Sequence, residues 1–332
     1  MKIVKVLSGI VLGLFMNVSQ VQAATICVYD PGGKTGDYYR MLEQLALQSS
    51  GWGTDVNIKT YTDEATAVND YRAKSCDGVL ATGVRLQKFN NFPTSLEAIG
   101  GLPNYDLLKQ LITEVTKSKS ASAKLVSEEH ETAGIIPIGA VYLFVRDRKI
   151  DTVSALSGKR IATFDYDQPS ITMVKRVGAI MVPSDLATLG PKFNNGDVDA
   201  CYVSAPVYGP FELSKGLGKK GGIVRLPLAQ ATLQLVIRKE KFAAEYGSKA
   251  RAFFLEQYPE ALRIVQNAEK NIPPKYWIDL PEDSLPGFDE LFQDSRISLR
   301  DSGAYNGKML NVMFKLRCKQ DNSRTECAEG KE

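Results

Sequence analysis

Segments typical of strands and of helices alternate along this chain, and that alternation restricts the folds open to it. Residues 25–29 are short and apolar, residues 37–49 carry apolar side chains mainly at helical spacing, and residues 55–61 alternate as a strand does. A helix over 65–74 and an apolar strand over 77–82 follow. Strands that alternate with helices predict an α/β fold with parallel-rich sheets flanked by helices.

A second unit of similar build lies between two long extended passages, which cover residues 134–147 and residues 223–237 with a break at 229–232. Between them we expect strands at 159–164, 178–182 and 198–203, and helices at 170–176 and 184–194, the second capped by Ser184 and ended by Asn195-Gly196. A chain has this pattern when it leaves one domain, builds another and returns. The sequence therefore predicts two lobes, residues 24–140 with 229–332 and residues 141–228, and a ligand cleft between them.

The first 23 residues have the pattern of a secretory signal peptide. Lys2 and Lys5 precede an apolar run, and Val21-Gln22-Ala23 offers a small-residue cleavage site before Ala24. Ile26 stands before Cys27, where a lipoprotein signal needs Gly, Ala or Ser, so we expect no lipid anchor. No other run approaches the roughly 18 to 20 apolar residues of a membrane helix. We therefore predict an exported protein that does not insert into a membrane.

The charge of the chain gives no sign of a nucleic-acid or membrane-surface partner. The formal net charge is +3, and two of those charges belong to Lys2 and Lys5. The remaining charge is about +1, with acidic and basic residues mixed along the chain. A small-molecule partner is the expectation that remains.

Five cysteines in an oxidising compartment allow two disulfides and one thiol. Cys318 and Cys327 lie close together in a polar tail, and we predict that they pair. Cys27 and Cys76 each open an apolar segment, so they would lie side by side if those segments are neighbouring parallel strands, and we predict a second bridge there. Cys201 is then a buried small hydrophobe. With one histidine and no C-x-x-C spacing, we expect neither a structural metal nor a cofactor.

The loops 30–36 and 82–87 follow predicted parallel strands, where ligands of such sheets bind. Gly33-Lys34-Thr35 resembles the end of a phosphate-binding loop, but the full pattern needs glycine where this chain has Val28. The motif therefore predicts no nucleotide hydrolysis. It is equally consistent with a tight turn and with a loop whose amides contact a ligand.

Catalytic motifs are weak in this sequence. The single histidine, His130, lies among acidic residues in what we interpret as a surface linker, so a Ser-His-Asp or Cys-His arrangement is not favoured. Asp165 and Asp167 follow a predicted strand, and either could cap the next helix or contact a cationic ligand. Arg85 and Arg146 are the basic groups best placed for an anion. Tyrosines near the expected cleft, among them Tyr166 and Tyr202, suit ligand sandwiching.

A family resemblance lies mainly in residues 154–205, with weaker agreement over 25–85. The order of segments there is Leu156-Ser-Gly-Lys-Arg-Ile161-Ala, then Val177-Gly-Ala-Ile-Met-Val-Pro183-Ser-Asp-Leu186, then Asn195-Gly-Asp-Val-Asp199-Ala. This order resembles the binding proteins of TRAP transporters, in which "dLkGlkiR", "lGa.pv" and "aLq.G.vDg" segments follow one another. The resemblance implies a two-lobed, type II-like periplasmic binding protein. The chain also resembles solute-binding proteins sometimes described as parts of aminoglycoside-efflux systems.

One departure from that family concerns the ligand. TRAP binding proteins typically hold a ligand carboxylate with an arginine at the end of the first of these segments, where this chain has Ala162. Arg160 lies two residues earlier, on the same face of the strand but lower. The departure argues against an organic-acid ligand.

The leading hypothesis is a non-catalytic, monomeric periplasmic protein whose lobes close on a small polar solute and deliver it to inner-membrane transporter subunits. An envelope adaptor of an efflux or sensory complex with a degenerate cleft is the alternative, and a carboxylate-dependent hydrolase comes third. The residues expected to contact the solute are Lys34, Arg85, Arg146, Asp165, Tyr166, Gln168, Ser170, Tyr202 and Ser204.

Overall fold

The computed structural model describes residues 22–330, and within them nine strands and thirteen helices alternate over most of the chain. The strands are β1 (Gln22–Tyr29), β2 (Thr54–Tyr61), β3 (Gly78–Thr82), β4 (His130–Val145), β5 (Arg160–Phe164), β6 (Ile180–Ser184), β7 (Ala200–Ser204), β8 (Gly222–Arg238) and β9 (Trp277–Ile278). The helices are α1 (Asp37–Ser49), α2 (Glu64–Arg72), α3 (Gly83–Leu86), α4 (Asn91–Thr94), α5 (Tyr105–Lys117), α6 (Lys119–Ser122), α7 (Gln168–Arg176), α8 (Leu186–Asn195), α9 (Ser214–Leu217), α10 (Tyr246–Lys270), α11 (Leu285–Asp301), α12 (Gly307–Gln320) and α13 (Thr325–Glu329). Nearly all of the predicted signal peptide lies outside the described residues.

All nine strands belong to one mixed sheet, which confirms the predicted α/β class. The order is β2-β1-β3-β8-β4-β7-β5-β6, and β9 pairs with β8. Strands β2, β1 and β3 are parallel to one another, as are β7, β5 and β6. The long strands β8 and β4 run antiparallel to each other and join the two parallel sets. No helix in this part of the chain is long and apolar enough to cross a membrane.

The two predicted extended passages are the strands β4 and β8. The predicted break at 229–232 is wrong, because Ala229 and Thr232 continue the ladder opposite Val141 and Pro137. The ladder is nonetheless irregular, with register shifts at three places in β4. At the third shift β4 advances only from Val141 to Leu143, whereas β8 advances from Ala229 to Val224. The irregularity divides one long ladder into two shorter ones.

Glycine is required at one of these shifts. Gly139 has φ +118°, in the region that L side chains rarely adopt. A Cβ at this position would lie 3.2 Å from side-chain carbons of both Ser204 and Val265. The position therefore combines an unusual backbone conformation with close packing.

The core follows from the burial of the central strands. Ile26 and Val28 of β1 are fully buried between β2 and β3, and Leu42 and Leu45 of α1 pack into the same cluster. Each such side chain contributes about 1.5–3 kcal/mol relative to an exposed one. A separate cluster around Phe193 holds α8 against β5 and β7, so each parallel set has apolar packing of its own.

Helix caps differ in part from the prediction. The cap of α8 is Asp185 rather than Ser184, because the Asp185 carboxylate accepts hydrogen bonds from the amide and hydroxyl of Thr188 while Thr188 accepts from the Asp185 amide. Gly196 ends the helix in the left-handed conformation, as the Asn195-Gly196 pair predicted.

Both predicted disulfides are present. Cys27 and Cys76 are joined, with Cα atoms 5.8 Å apart, because β1 and β3 are adjacent parallel strands. Cys318 and Cys327 join α12 to α13, with Cα atoms 5.6 Å apart. Cys201 is a buried free thiol, also as predicted.

A buried charge cluster fixes the C-terminal helices. Glu326 accepts hydrogen bonds from Arg296, Arg317 and Arg324, at 2.5–3.0 Å. Arg296 and Arg317, both 1% exposed, also donate to the backbone carbonyls of Ile99 and Gly101. The C-terminal helices therefore hold the backbone of residues 99–101 through these two hydrogen bonds.

Replacing Glu326 by Gln should lower the free energy of unfolding by about 3 kcal/mol at neutral pH, because the buried arginines lose the charge of the carboxylate that they contact. Burial alone would raise the pKa of Glu326, but hydrogen bonds from Arg317 and the charges of the three arginines lower it from 4.5 to about 2. A carboxyl with a lowered pKa stabilises the fold above its unfolded value, and this contribution disappears as the pH falls from 4.5 towards 2. Urea unfolding at several pH values measures it. Glu290→Gln, an exposed change on α11, is the control, and an equal loss in both variants would contradict the assignment.

Removing each disulfide by paired Cys→Ala changes should have unequal effects. The Cys27–Cys76 bridge spans 49 residues and the Cys318–Cys327 bridge spans 9. Loop-closure entropy then predicts losses of about 4 and about 2.7 kcal/mol. Chemical denaturation of both double variants tests the order, and a larger loss at the C-terminal bridge would reverse it.

Candidate functional site

A cavity of about 230 Å³ lies where four strands end. Its wall includes Tyr29, Thr82, Phe164 and Ser204, which are the last residues of β1, β3, β5 and β7. The carboxyl ends of strands from both parallel sets therefore meet at one place, where α/β sheets bind their ligands.

The cavity wall is mainly apolar and aromatic. The crossing strands contribute aliphatic side chains, and the ends of the other strands, the helices and the loops contribute rings and prolines. The aromatic members are Tyr29, Tyr38, Phe164, Tyr166, Tyr202, Phe211 and Tyr305, and the acidic ones are Glu64, Glu97 and Asp167.

Arg85 connects the two sides of the cavity. It follows β3, and its Nε donates to the Glu64 carboxylate at 3.0 Å. The guanidinium carbon lies 3.5 Å from the centre of the Tyr166 ring, which follows β5. Tyr166 in turn stacks on Phe164, with ring centres 5.4 Å apart and planes 7° apart. Arg85 therefore forms an ion pair with one parallel set and a cation–π contact with the other.

Glu97 joins the end of β3 to β8. Its Oε1 accepts hydrogen bonds from the Gly83 amide at 3.1 Å and from the amide and hydroxyl of Thr232 at 2.7 and 2.6 Å. Burial raises the pKa of Glu97 to about 7 in spite of these bonds. Its carboxyl is therefore easier to protonate than an ordinary glutamate.

Asp167 forms the N-cap of α7 and is 8% exposed. It accepts from the Ser170 amide at 3.0 Å and from the Ser170 hydroxyl at 2.5 Å. Burial raises its pKa, while the Ser170 bonds oppose the shift. Beside it, the Tyr202 hydroxyl accepts from the Phe164 amide at 3.3 Å, and burial raises the pKa of that phenol.

The structure brings some of the predicted contact residues together. Tyr166, Ser170, Tyr202 and Ser204 line the cavity, and Arg85 borders it through Tyr166.

Four predicted contact residues lie elsewhere. Lys34, Asp165 and Gln168 are exposed and are not part of the wall. Arg146 donates instead to the carbonyls of Phe193 and Asn194 at the end of α8, at 2.6 and 3.3 Å. Its guanidinium satisfies carbonyls at the end of that helix.

Several wall residues were missed. Of the two aspartates after β5, Asp167 lines the cavity and Asp165 does not. The spacing Asp167-Gln-Pro-Ser170 is a helix-start signal that could have identified Asp167. Glu64 is the first residue of α2 and was not among the predicted contact residues. Glu97 and Tyr305 come from segments far apart in the chain, with no local pattern to mark them.

The glycine loop is a tight turn rather than an anion site. Asp30 accepts from the Gly32, Tyr38 and Tyr39 amides at 2.8–3.0 Å, so it occupies the amides at the start of α1. Among the described residues no group of His, Cys, Asp and Glu could hold a metal ion.

The interpretation of His130 as part of a surface linker is wrong. His130 begins β4, where its Nδ1 lies 2.8 Å from the Tyr71 hydroxyl and its ring meets Phe89 edge to face. Burial lowers its pKa. It packs against Tyr71 and Phe89 and does not line the cavity.

Neither Ala162, at the position where TRAP binding proteins typically have an arginine, nor the nearby Arg160 places a basic group at the cavity. Ala162 is fully buried in β5. Arg160 forms an ion pair with Asp199 at 2.8 Å and donates to the Gly196 carbonyl at 3.0 Å, so it does not reach the cavity.

Solved structures share this fold. A TRAP periplasmic solute-binding protein from Ralstonia eutropha H16 with bound (S)-2-acetolactate superposes with a TM-score of 0.72 at 14% identity, over 90% of this chain and 99% of that one. One from Desulfovibrio salexigens with bound orotic acid gives the same TM-score, identity and coverage. At such identity the likeness concerns the fold.

Sequence relatives define the family. The probable solute-binding protein AdeT1 of Acinetobacter baumannii is 38% identical over 303 residues, which are 91% of this chain and 99% of that protein. The probable solute-binding protein AdeT2 of the same organism is 28% identical over 235 residues, 70% of this chain and 98% of that protein. A sequence model described as solute-binding protein AdeT 1/2 matches residues 45–332. The chain therefore belongs to the AdeT 1/2 family of solute-binding proteins.

Proposed function

We propose that this protein captures a small solute outside the cytoplasm by closing two lobes around the cavity, and delivers it to a transporter in the membrane. The lobes are residues 24–140 with 229–332 and residues 141–228. The observation that carries the proposal is one cavity walled by strand ends of both parallel sets and bridged by Arg85 on Tyr166.

Family membership supports the solute-binding role, and the solved structures of the same fold contain bound small molecules. The leader-like residues 1–23 support an extracytoplasmic location. A TRAP-like transporter is the partner that the fold favours.

The cavity favours solute binding over the adaptor hypothesis. A degenerate cleft would have lost its ligand space to packing, whereas this cavity keeps aromatic walls and buried carboxyl groups. The loss of the arginine at Ala162 is then a change of ligand chemistry rather than a loss of the site. Binding by closure requires no catalytic step.

A thermal-unfolding screen of the purified protein, freed of copurified ligand, tests the function. A solute at about 100 times its dissociation constant adds about 2.7 kcal/mol, or about 4 °C for a chain of this length. Amino acids, organic acids, polyamines, sugars, aromatic amines and aminoglycosides form the panel. A selective shift is the expected result, and no shift with any class would favour the adaptor.

Replacing Arg85 by Lys should weaken binding of the solute found in that screen about fivefold. Lysine keeps the charge opposite Glu64 but loses the flat contact with Tyr166, which is worth about 1 kcal/mol to the closed form. Arg225→Lys is the matched control, because Arg225 lies over the Trp277 ring at 4.8 Å and outside the cavity wall. Titration calorimetry measures the solute affinity of both variants. Equal losses of affinity would show that the contact between Arg85 and Tyr166 does not contribute to closure.

A further inference from the structure

The cavity wall carries acidic groups without basic ones. Glu64, Glu97 and Asp167 line it, and the wall residues of the described chain include no lysine, arginine or histidine. Arg85 reaches the border only, where Glu64 already balances its charge. The acidic and basic side chains that line the cavity are therefore all acidic, and only Glu64 has a basic partner.

Two of these carboxyl groups lack a counter-charge. In residues 22–330 neither Glu97 nor Asp167 has a lysine, arginine or histidine within ion-pair distance. Burial raises the pKa of both groups, which shows the cost of keeping them charged without a partner. A cation in the cavity would remove that cost.

The wall also contains a buried hydroxyl without a hydrogen-bond partner. The Thr82 hydroxyl is buried, and within the described chain it has no hydrogen-bond partner. Unpaired buried hydroxyls are uncommon and call for a partner in the bound state. A bound ligand with a polar group, an amine included, would supply one.

The rest of the wall suits an apolar body. Rings from Tyr29, Tyr38, Tyr202 and Tyr305 lie among aliphatic side chains of the crossing strands. Aromatic faces attract cations, whereas aliphatic carbons exclude charge. A strongly hydrated polycation would lose its water here without enough partners.

The volume of the cavity suits a small solute. A cavity of about 150 Å³ holds one benzene molecule. The 230 Å³ found here therefore corresponds to a compact solute of about ten non-hydrogen atoms.

Resting on the proposed function, we propose that the solute is a small amphiphilic cation, with an aromatic or aliphatic body and one amine group that is held by Asp167 and Glu97.

Three probes with one common body test the class: 2-phenylethylamine, 2-phenylethanol and 3-phenylpropionate. They carry a positive, a neutral and a negative end group on the same phenylethyl frame. Titration calorimetry with the purified protein at neutral pH should show the amine binding at least tenfold more tightly than the alcohol, and the carboxylate binding weakest.

A matched pair of variants locates the charge. Asp167→Asn keeps a residue that can cap α7 but removes the charge, so amine affinity should fall roughly 30-fold while alcohol affinity changes less than twofold. Asp185→Asn makes the same change at the cap of α8, outside the wall, and should leave both affinities unchanged. Glu97→Gln should lower amine affinity in the same selective way.

The class is wrong if the alcohol or the carboxylate binds as tightly as the amine, if Asp167→Asn weakens amine and alcohol equally, or if no probe binds. If no probe binds, the thermal-unfolding screen distinguishes failure of the proposed ligand class from failure of the proposed binding function. A solute of another class that shifts unfolding would leave the binding function standing and overturn only the cationic ligand. No shift with any solute would overturn both.

Discussion

The pairing of β4 with β8 is the interaction on which the rest of the structure depends. These strands are the only link in the sheet order between the parallel set β2-β1-β3 and the set β7-β5-β6 within the described residues. The set that ends in β3 pairs with residues 233–237 of β8, and the set that begins with β7 pairs with residues 141–145 of β4, at the other end of the same ladder. The two sets therefore direct their carboxyl ends towards each other, at the middle of the ladder. The cavity follows from this topology, and the loops only complete its wall.

Charge distinguishes this cavity from what the fold alone would suggest. Acetolactate and orotic acid, the molecules bound in the two structural neighbours, both carry a carboxylate. In this chain Ala162 stands at the strand position where the family resemblance implies an arginine. Arg160, in the same strand, forms an ion pair with Asp199. The wall has acidic groups instead. A shared fold thus leaves the sign of the ligand charge open to change by a few substitutions.

The fold could be predicted from the sequence because its signals are local. Helical spacing marked α1, apolar runs marked β1, β3 and β7, and the parallel neighbours β1 and β3 brought Cys27 and Cys76 together. The site could be predicted only in part. Tyr166, Ser170 and Tyr202 follow or belong to strands whose ends were recognisable, whereas Glu97 and Tyr305 reach the cavity through packing of distant segments.

The basic residues show why charge is a poor guide to a site before the structure is known. Arg146 was chosen for its place on a crossing strand, yet helix carbonyls take its donors. Lys34 follows a strand end, but the Asp30 carboxylate organises that turn from within and leaves the lysine in solvent. Competition from backbone partners cannot be seen in a linear sequence.

The irregular ladder between β4 and β8 has a mechanical consequence. Any rotation of one parallel set against the other must pass through these two strands, and they lose regular pairing between Val141 and Leu143, beside the cavity. A bulge interrupts the ladder hydrogen bonds, bends the strand and increases its local twist. In the proposed closure, opening would twist these two paired strands. The residence time of a solute would then depend on the stiffness of backbone pairing at residues 139–143, of which Val141 lines the cavity.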